Sequence, residues 1–127
     1  MAVITPTFRK LRGASGGIEA TIVAWGPMAN GDTGKPVQLP ANADRSIQVE
    51  GTFGAGGSVA CQGSNDSTIG TDGNFRALSN PAGTTIAITA AGIQQVTEAT
   101  GWVRPAVTAG DGTTALTATM CMRRSVR

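Results

Sequence analysis

Glycine-containing turns divide the chain at short intervals, and this spacing restricts its fold more than any other feature. The chain contains 18 glycines in 127 residues, and the segments between them are rich in Thr, Val, Ile and Ala. Such segments favour short β-strands, whereas helical patterns are nearly absent. We therefore expect about eight short strands.

Alternation of apolar and polar residues locates the strands. In the segment 46–53, Ile47 and Val49 fall on one face, and Gln48 and Glu50 fall on the other. Related patterns predict further strands at 18–25, 58–63, 75–78, 84–90, 102–109 and 113–123.

The connections follow from turn chemistry. Glycine-rich segments at 54–57 and 109–112 are predicted to be hairpin turns, since glycine accepts positive φ at little cost. Residues 91–100 are predicted to form one or two helical turns.

These elements lack the spacing of β-α-β units, so they indicate an all-β fold. The predicted architecture is a single-domain antiparallel β-sandwich, jelly-roll-like, with a flexible basic N-terminal arm. The arm comprises residues 1–17, which end in the small residues GASGG. The sandwich domain, with a short basic C-terminal tail, comprises residues 18–127.

The chain has no histidine, the side chain most used for acid–base catalysis near neutral pH. The absence of histidine also excludes His-containing catalytic triads and His-ligated metal sites. We therefore expect a protein that is not an enzyme, with no catalytic residue, metal or cofactor. The net charge of +2 is too small to predict nucleic acid or a membrane as a partner.

No apolar run approaches the roughly 18 residues that span a bilayer, and no signal-peptide pattern is present. The sequence predicts synthesis in the cytoplasm. Cys61 and Cys121 are then expected as small buried hydrophobic residues. A disulfide between them is the alternative in an oxidising compartment.

Five aspartates lie in predicted turns, where Asp commonly accepts hydrogen bonds from nearby backbone. They are Asp32, Asp44, Asp66, Asp72 and Asp111. The loop GSNDSTIGTDGN at 63–74 also offers oxygen ligands for calcium around Asp66 and Asp72, although it lacks the ligand spacing of an EF-hand.

Basic, acidic and aromatic residues supply the candidate interface. Trp25 and Trp102 would pack in the core or anchor a partner. Arg104 would pair with a carboxylate across strands or reach a partner surface. Basic residues concentrate at both termini, as solvated tails or as docking elements for an acidic partner. The candidate interface residues are Arg9, Lys10, Arg12, Trp25, Asp32, Asp44, Arg45, Trp102, Arg104, Asp111, Arg123 and Arg124, and Arg127 belongs to the same C-terminal basic cluster.

Longer motifs carry a family resemblance. The stretch VAWGPMANGDTGKPVQLPANADRSIQVEGTFGAGGSVACQGSND at 23–66, followed by WVRPAVTAGDGTTALTATM at 102–120, resembles small virion structural proteins of tailed bacteriophages. Members have NGDTG, then ADRSxQVxGTFGxGGSVxxxGSND, then hxRPxVTxGDGTTxhTVT, where h is apolar. The similarity extends from about Val23 to Met122. It departs after GSND, where Ser67, Thr68 and Ile69 replace the expected Gly and aromatic residue.

The resemblance implies a capsid decoration, or cement, protein. Such a protein would bind the major capsid protein on the exterior of the virion and stabilise the head. On this interpretation, the two basic termini contact the lattice, and the turns around Asp32, Asp44 and Asp111 shape the interface. The chain would also bind itself, as a dimer in preference to a trimer.

Two alternatives remain open from the sequence. The GSND loop and the later aromatic-x-Arg strand are also similar to discoidin-like carbohydrate-binding modules. Only two Trp and no Tyr are present for sugar stacking. A tail or neck component of the virion is the other alternative.

Overall fold

The computed structural model describes residues 1–124, which form an all-β fold of eleven strands in two sheets packed as a β-sandwich. In that range there is no helix long and apolar enough to cross a membrane. The strands are β1 (Val3–Ile4), β2 (Thr7–Arg12), β3 (Ile18–Met28), β4 (Thr33–Gly34), β5 (Asp44–Thr52), β6 (Ser58–Ser64), β7 (Arg76–Ala77), β8 (Ala87–Ile88), β9 (Gly92–Val96), β10 (Trp102–Ala109) and β11 (Ala115–Arg123).

The first sheet has six strands in the order β1-β4-β10-β6-β7, with β8 also paired to β6. The second sheet has five strands in the order β2-β3-β11-β5-β9. The strands pair antiparallel in both sheets, except that β1 and β4 run parallel. The predicted all-β sandwich is confirmed.

One hydrophobic core fills the space between the sheets. On β11 the alternate residues Leu116, Ala118, Met120 and Met122 are completely buried, whereas Thr117 between them is exposed. This period of two is the signature of a strand with one face on the core. The six-stranded sheet contributes Val59, Cys61, Val103 and Val107 to the same core.

Both predicted hairpins are wrong. β5 and β6 belong to different sheets, as do β10 and β11. Instead, β5 pairs with β11 and β6 pairs with β10, so the two segments run antiparallel along their whole length. The glycine-rich links allow both segments to bend from one sheet to the other at the same place. We call the links, residues 53–57 and 110–114, the paired corners.

Asp111 joins the paired corners. One carboxylate oxygen accepts the backbone N–H of Ala55 at 2.8 Å, and the other accepts the hydroxyl of Thr113 at 2.7 Å. Thr114 completes the link by donating its hydroxyl to the Phe53 carbonyl at 2.8 Å. The Ala55 N–H, followed by the Thr113 hydroxyl, holds the pKa of Asp111 at about 2. This predicted interface residue therefore has a structural task inside the fold.

The helical turn predicted at 91–100 is also wrong, because residues 92–96 form β9. This strand pairs with β5 in register, with Val96 opposite Arg45 and Gly92 opposite Val49. Val96 is buried, while Ile93 is exposed on the outer face. Pairing with a long neighbouring strand outweighs weak local helical spacing.

The N-terminal segment differs from the flexible arm expected at residues 1–17. β1 pairs with β4 in one sheet, and β2 pairs with β3 in the other. The segment crosses from one sheet to the other at Thr5 and Pro6. All six side chains of β2 are exposed, so the segment contributes backbone pairing but little core. Three charged residues in six obscured this strand in the sequence pattern.

The two cysteines are unbonded in the structure. Cys61 points into the core from the six-stranded sheet, and its burial raises its thiol pKa to about 12. Cys121 is half-buried and pairs with Ser46 and Ile22 in the five-stranded sheet. The structure thus has two separate thiols and not the alternative disulfide. The expected burial is observed for Cys61, whereas Cys121 is only half-buried.

Two glycines of one turn test the paired corners. Gly54 has φ of 71° and Gly56 has φ of 70°. A Cβ on Gly54 would clash with the Asp111 carboxylate, whereas a Cβ on Gly56 would meet nothing within 4 Å. Both Gly54→Ala and Gly56→Ala should lose about 1–2 kcal/mol from the positive φ.

Gly54→Ala should lose clearly more, because it also displaces Asp111 from its partners. The measurement is urea denaturation of both variants beside the parent chain. Equal losses in the two variants would show that the close approach at Gly54 does not support the fold.

Candidate functional site

Strand register brings the basic residues of the two termini together. β3 lies between β2 and β11, with Thr21 opposite both Lys10 and Met122. Ile22 is likewise opposite both Arg9 and Cys121. The cations of β2 therefore lie two strands away from those that end β11. We call this region the basic surface, and it comprises Arg9, Lys10, Arg12, Arg123 and Arg124.

The cations of the basic surface are solvent-exposed, and several are oriented by hydrogen bonds. Lys10 donates to the Thr21 hydroxyl at 3.0 Å, and Arg12 donates to the Gly16 carbonyl at 3.0 Å. Arg123 forms an ion pair with Asp44 at 2.7 Å. That pair neutralises one cation and leaves four to attract anions. Arg127 of the predicted C-terminal cluster lies outside the described residues.

Exposed apolar side chains accompany these charges. Ile18 is 56% exposed and Leu11 is 38% exposed, and both border a hollow that Arg123 and Arg124 also line. Phe8 is 55% exposed at the other end of β2. Mixed apolar and cationic surface of this kind suits a protein partner with acidic residues. Sequence reasoning missed Leu11 and Ile18, because their clustering depends on strand register.

Trp25 and Arg45, both predicted at the interface, are buried in the core. Trp25 is fully buried and donates its indole N–H to the Lys35 carbonyl at 2.9 Å. Arg45 is 1% exposed and donates to the carbonyls of Leu39 and Asn42 at 2.9 and 2.8 Å. Neither side chain meets a partner directly. Both hold the segment 35–42 against the sandwich from the inside.

Burial leaves the Arg45 guanidinium incompletely paired. Its Nη1 has no hydrogen-bond partner in the described part of the chain, and burial lowers the pKa of the guanidinium. Arginine nevertheless stays protonated in proteins. Arg45 is therefore a buried cation held mainly by backbone carbonyls.

Asp32 anchors the N-terminal segment. One carboxylate oxygen accepts the Ala29 N–H at 2.9 Å, and the other accepts the Ala2 N–H at 2.8 Å. These bonds, that of Ala29 first, lower the pKa of Asp32. Asp32 is itself buried, so it positions β1 next to β4 and does not face a partner.

The loop 63–74 is closed by its own two aspartates. Asp66 accepts the backbone N–H and the side-chain amide of Asn74, at 2.8 and 2.9 Å, and the Ser64 hydroxyl at 2.8 Å. The Asn74 bonds, followed by that of Ser64, hold the pKa of Asp66 at about 2.

Asp72 likewise accepts its hydrogen bonds from residues of the loop itself. It accepts both the hydroxyl and the N–H of Thr68, the N–H of Ile69 and the hydroxyl of Ser67. The Thr68 hydroxyl is the main cause of its lowered pKa. A calcium ion would have to displace these donors, and no group of three or more potential metal-ligating residues occurs among residues 1–124. The structure thus gives the calcium alternative no support.

Trp102 holds this loop to β10. Its indole N–H donates to the Ser67 carbonyl at 3.0 Å, and a Cβ on Gly70 would come within 2.8 Å of its ring. Ser67, the first of the residues 67–69, therefore makes a structural contact through its carbonyl oxygen. The loop presents Ile69, which is 70% exposed.

Arg104 is fixed by neighbours on the outer side of the six-stranded sheet. Its guanidinium lies 4.2 Å from the centre of the Phe75 ring, and its Nε donates to the Gln62 side chain at 2.9 Å. Partial burial lowers its pKa. These contacts are structural, but the partners are an amide and an aromatic ring and not the carboxylate that the sequence suggested.

The sequence motifs map mainly onto the inner framework. NGDTG includes Asp32 and β4, while the two longer motifs cover β5, β6, β10, β11 and the paired corners. No family model, curated protein or solved structure matches this chain.

The loop 63–74 can be tested through its contact with Trp102. We expect Asp72→Asn to accelerate hydrogen exchange of the Trp102 indole N–H by about tenfold, because local opening of the loop breaks its bond to Ser67. The Trp25 indole N–H lies in the core and should not change. Asp44→Asn, which removes an aspartate elsewhere, is the matched control.

Acid should open the loop in the parent chain as well. Both loop aspartates have folded-state pKa values below their unfolded values, so their contribution to stability is complete above about pH 4. It is lost as the pH falls through the folded values. NMR spectra of the two indole N–H groups between pH 7 and 2 would follow this change. A Trp102 signal that shifts between pH 7 and 5 would contradict the assignment.

Proposed function

We propose that this chain is a non-enzymatic structural protein of a tailed-phage virion. It acts as a capsid decoration, or cement, protein that binds the exterior of the major capsid lattice and stabilises the head. The motif resemblance from Val23 to Met122 supports a virion protein. The convergence of both basic termini on one surface is the observation that supports a binding role. The protein is synthesised in the host cytoplasm and assembles on the shell.

The position of the basic surface supports attachment from one end of the sandwich. Lys10 and Arg124 lie beside exposed Ile18 in one hollow, and Arg124 also lies beside Leu11 and Ile18 in the next. An acidic, partly apolar capsid surface would complement both features. A symmetric lattice repeats such a contact many times, so modest affinity per contact suffices when the protein binds as an oligomer. A dimer is the proposed state.

The framework supports a mechanical role. The paired corners join the two sheets through side-chain bonds from Asp111 and Thr114. β11, which leads to Arg123 and Arg124, lies in the centre of its sheet between β3 and β5. Force applied at the basic surface would therefore be distributed into the core strands.

The carbohydrate-binding alternative has less support from the site. Trp102 already uses its indole N–H on Ser67, and its ring packs on Gly70. Arg104 is likewise engaged with Phe75 and Gln62. Neither group is free in the way that a sugar-stacking site requires. A tail or neck position stays an outcome of the test below.

Cosedimentation with expanded, empty capsids of the phage that encodes this chain tests the proposal. We expect saturable binding at a fixed ratio to the major capsid protein and a raised temperature of capsid disruption. Absence of binding to intact shells would overturn the decoration function. Binding to isolated tails instead would identify a tail or neck component.

A charge reversal tests the surface assignment. Arg124→Glu should weaken attachment by about fivefold per site, because an exposed ion pair contributes up to about 1 kcal/mol. Arg76→Glu makes the same charge change on β7, at the edge of the other sheet, and should bind like the parent chain. Equal effects of the two variants would show that the basic surface is not the capsid contact.

A further inference from the structure

β2 is an edge strand with one open side. It pairs with β3 alone among the described residues, and it ends the order of the five-stranded sheet. Every second residue of such a strand directs its backbone N–H and C=O away from the sheet, where another strand can bind them. All six side chains of β2 are exposed, and no second strand pairs with β2 among residues 1–124.

An apolar groove runs beside this open side. It has a volume of about 390 Å³ and lies between Phe8, together with Pro6, and the segment 35–39. Pro36, Val37 and Leu39 supply apolar atoms from that segment. The groove occupies the seam where the N-terminal segment crosses between the two sheets. Trp25 and Arg45 hold its outer wall in place, as described above.

The register of β2 places two kinds of side chain next to a strand that would add there. Phe8 pairs with buried Val23 and therefore lies on the inner side, towards the groove. Arg9 pairs with Ile22, whose neighbours on β3 are buried in the core, and lies on the outer side. An added strand would alternate between these two environments. Its inner residues would meet Phe8, the groove and the Lys10 ammonium, and its outer residues would meet Arg9 and Leu11.

Charge distinguishes the possible occupants of the edge. β2 carries Arg9, Lys10 and Arg12, Lys35 lies across the groove, and Glu19 is the one carboxylate on β2 and β3. Two copies of β2 paired edge to edge would place these cations opposite one another, which is unfavourable. An acidic strand would instead be attracted.

We propose that the open edge of β2 binds an extended segment of a partner protein, in which acidic residues alternate with apolar ones, as an additional strand of the five-stranded sheet. Backbone hydrogen bonds would supply affinity, and the groove and cations would supply specificity. This inference deepens the proposed function, because it names the kind of capsid segment that the basic surface would take. It can be tested without capsids, so the two proposals can fail separately.

The probe is a fluorescein-labelled peptide of eight residues in which Val and Glu alternate. We expect it to bind the full chain in a fluorescence anisotropy titration and to slow hydrogen exchange at alternate backbone amides of β2. Arg9→Glu should weaken binding by about fivefold, as expected for one exposed ion pair. Arg76→Glu is the matched control and should bind like the parent chain.

Three altered peptides separate the contributions. Replacing every Glu by Lys tests charge, and a scrambled order of the same residues tests alternation. N-methylation of every backbone amide, which removes the N–H donors in both registers, tests backbone pairing. Each change should weaken binding by at least about tenfold, because each removes one of the required contacts. Phe8→Ser should also weaken binding, because Phe8 lines the groove. Phe8 is half exposed, so its loss leaves the core intact.

The proposal is overturned if the Val-Glu peptide does not bind, or if the N-methylated or scrambled peptide binds equally well. Equal losses for Arg9→Glu and Arg76→Glu would overturn it too, since net charge alone would then explain binding. Self-association of the chain that protects the β2 amides without peptide would identify a second copy as the occupant. Capsid binding without peptide binding would retain the decoration function and reject this edge.

Discussion

The paired corners are the constraint on which the rest of the structure depends. Two long segments, β5–β6 and β10–β11, run antiparallel and bend together from one sheet into the other. Asp111 and Thr114 bind the two bends to each other through Ala55 and Phe53. Because both segments change sheets at the same point, their inward faces oppose each other and enclose a single core. If the chain had instead turned back on itself at both glycine-rich links, β5 would have paired with β6 and β10 with β11, as two separate hairpins.

This framework determines where the termini lie. β11 is central in its sheet, so β3 pairs along one side of it and β2 is added outside β3. The cations of β2 and those that end β11 consequently lie only two strands apart, although more than 100 positions separate Arg12 from Arg123 in the sequence. Their convergence is a product of register. It places two basic segments at the same end of β3 in the five-stranded sheet, close to each other in space.

The sequence was informative where local pattern and long-range pairing agree. The strand at 102–109 is observed as β10 with those bounds, and the alternation in 113–123 correctly identifies the buried face of β11. It was uninformative where tertiary pairing decides. Glycines at 54–57 permit a tight hairpin and a bend between sheets equally well, and the segment 91–100 becomes a strand because β5 is available beside it. The basic surface could not be anticipated from either cluster alone.

Arg45 illustrates how an almost completely buried residue can shape a groove on the surface. A guanidinium buried in a sandwich carries a desolvation cost, which pairing must offset. Here the partners are the Leu39 and Asn42 carbonyls, and Trp25 binds the Lys35 carbonyl of the same segment. These contacts fix a stretch that contains two prolines and only one isolated bridge to the neighbouring strand, Val37 with Val103. The buried cation therefore positions the wall opposite Phe8, and the groove beside β2 exists because that wall cannot collapse onto the open edge.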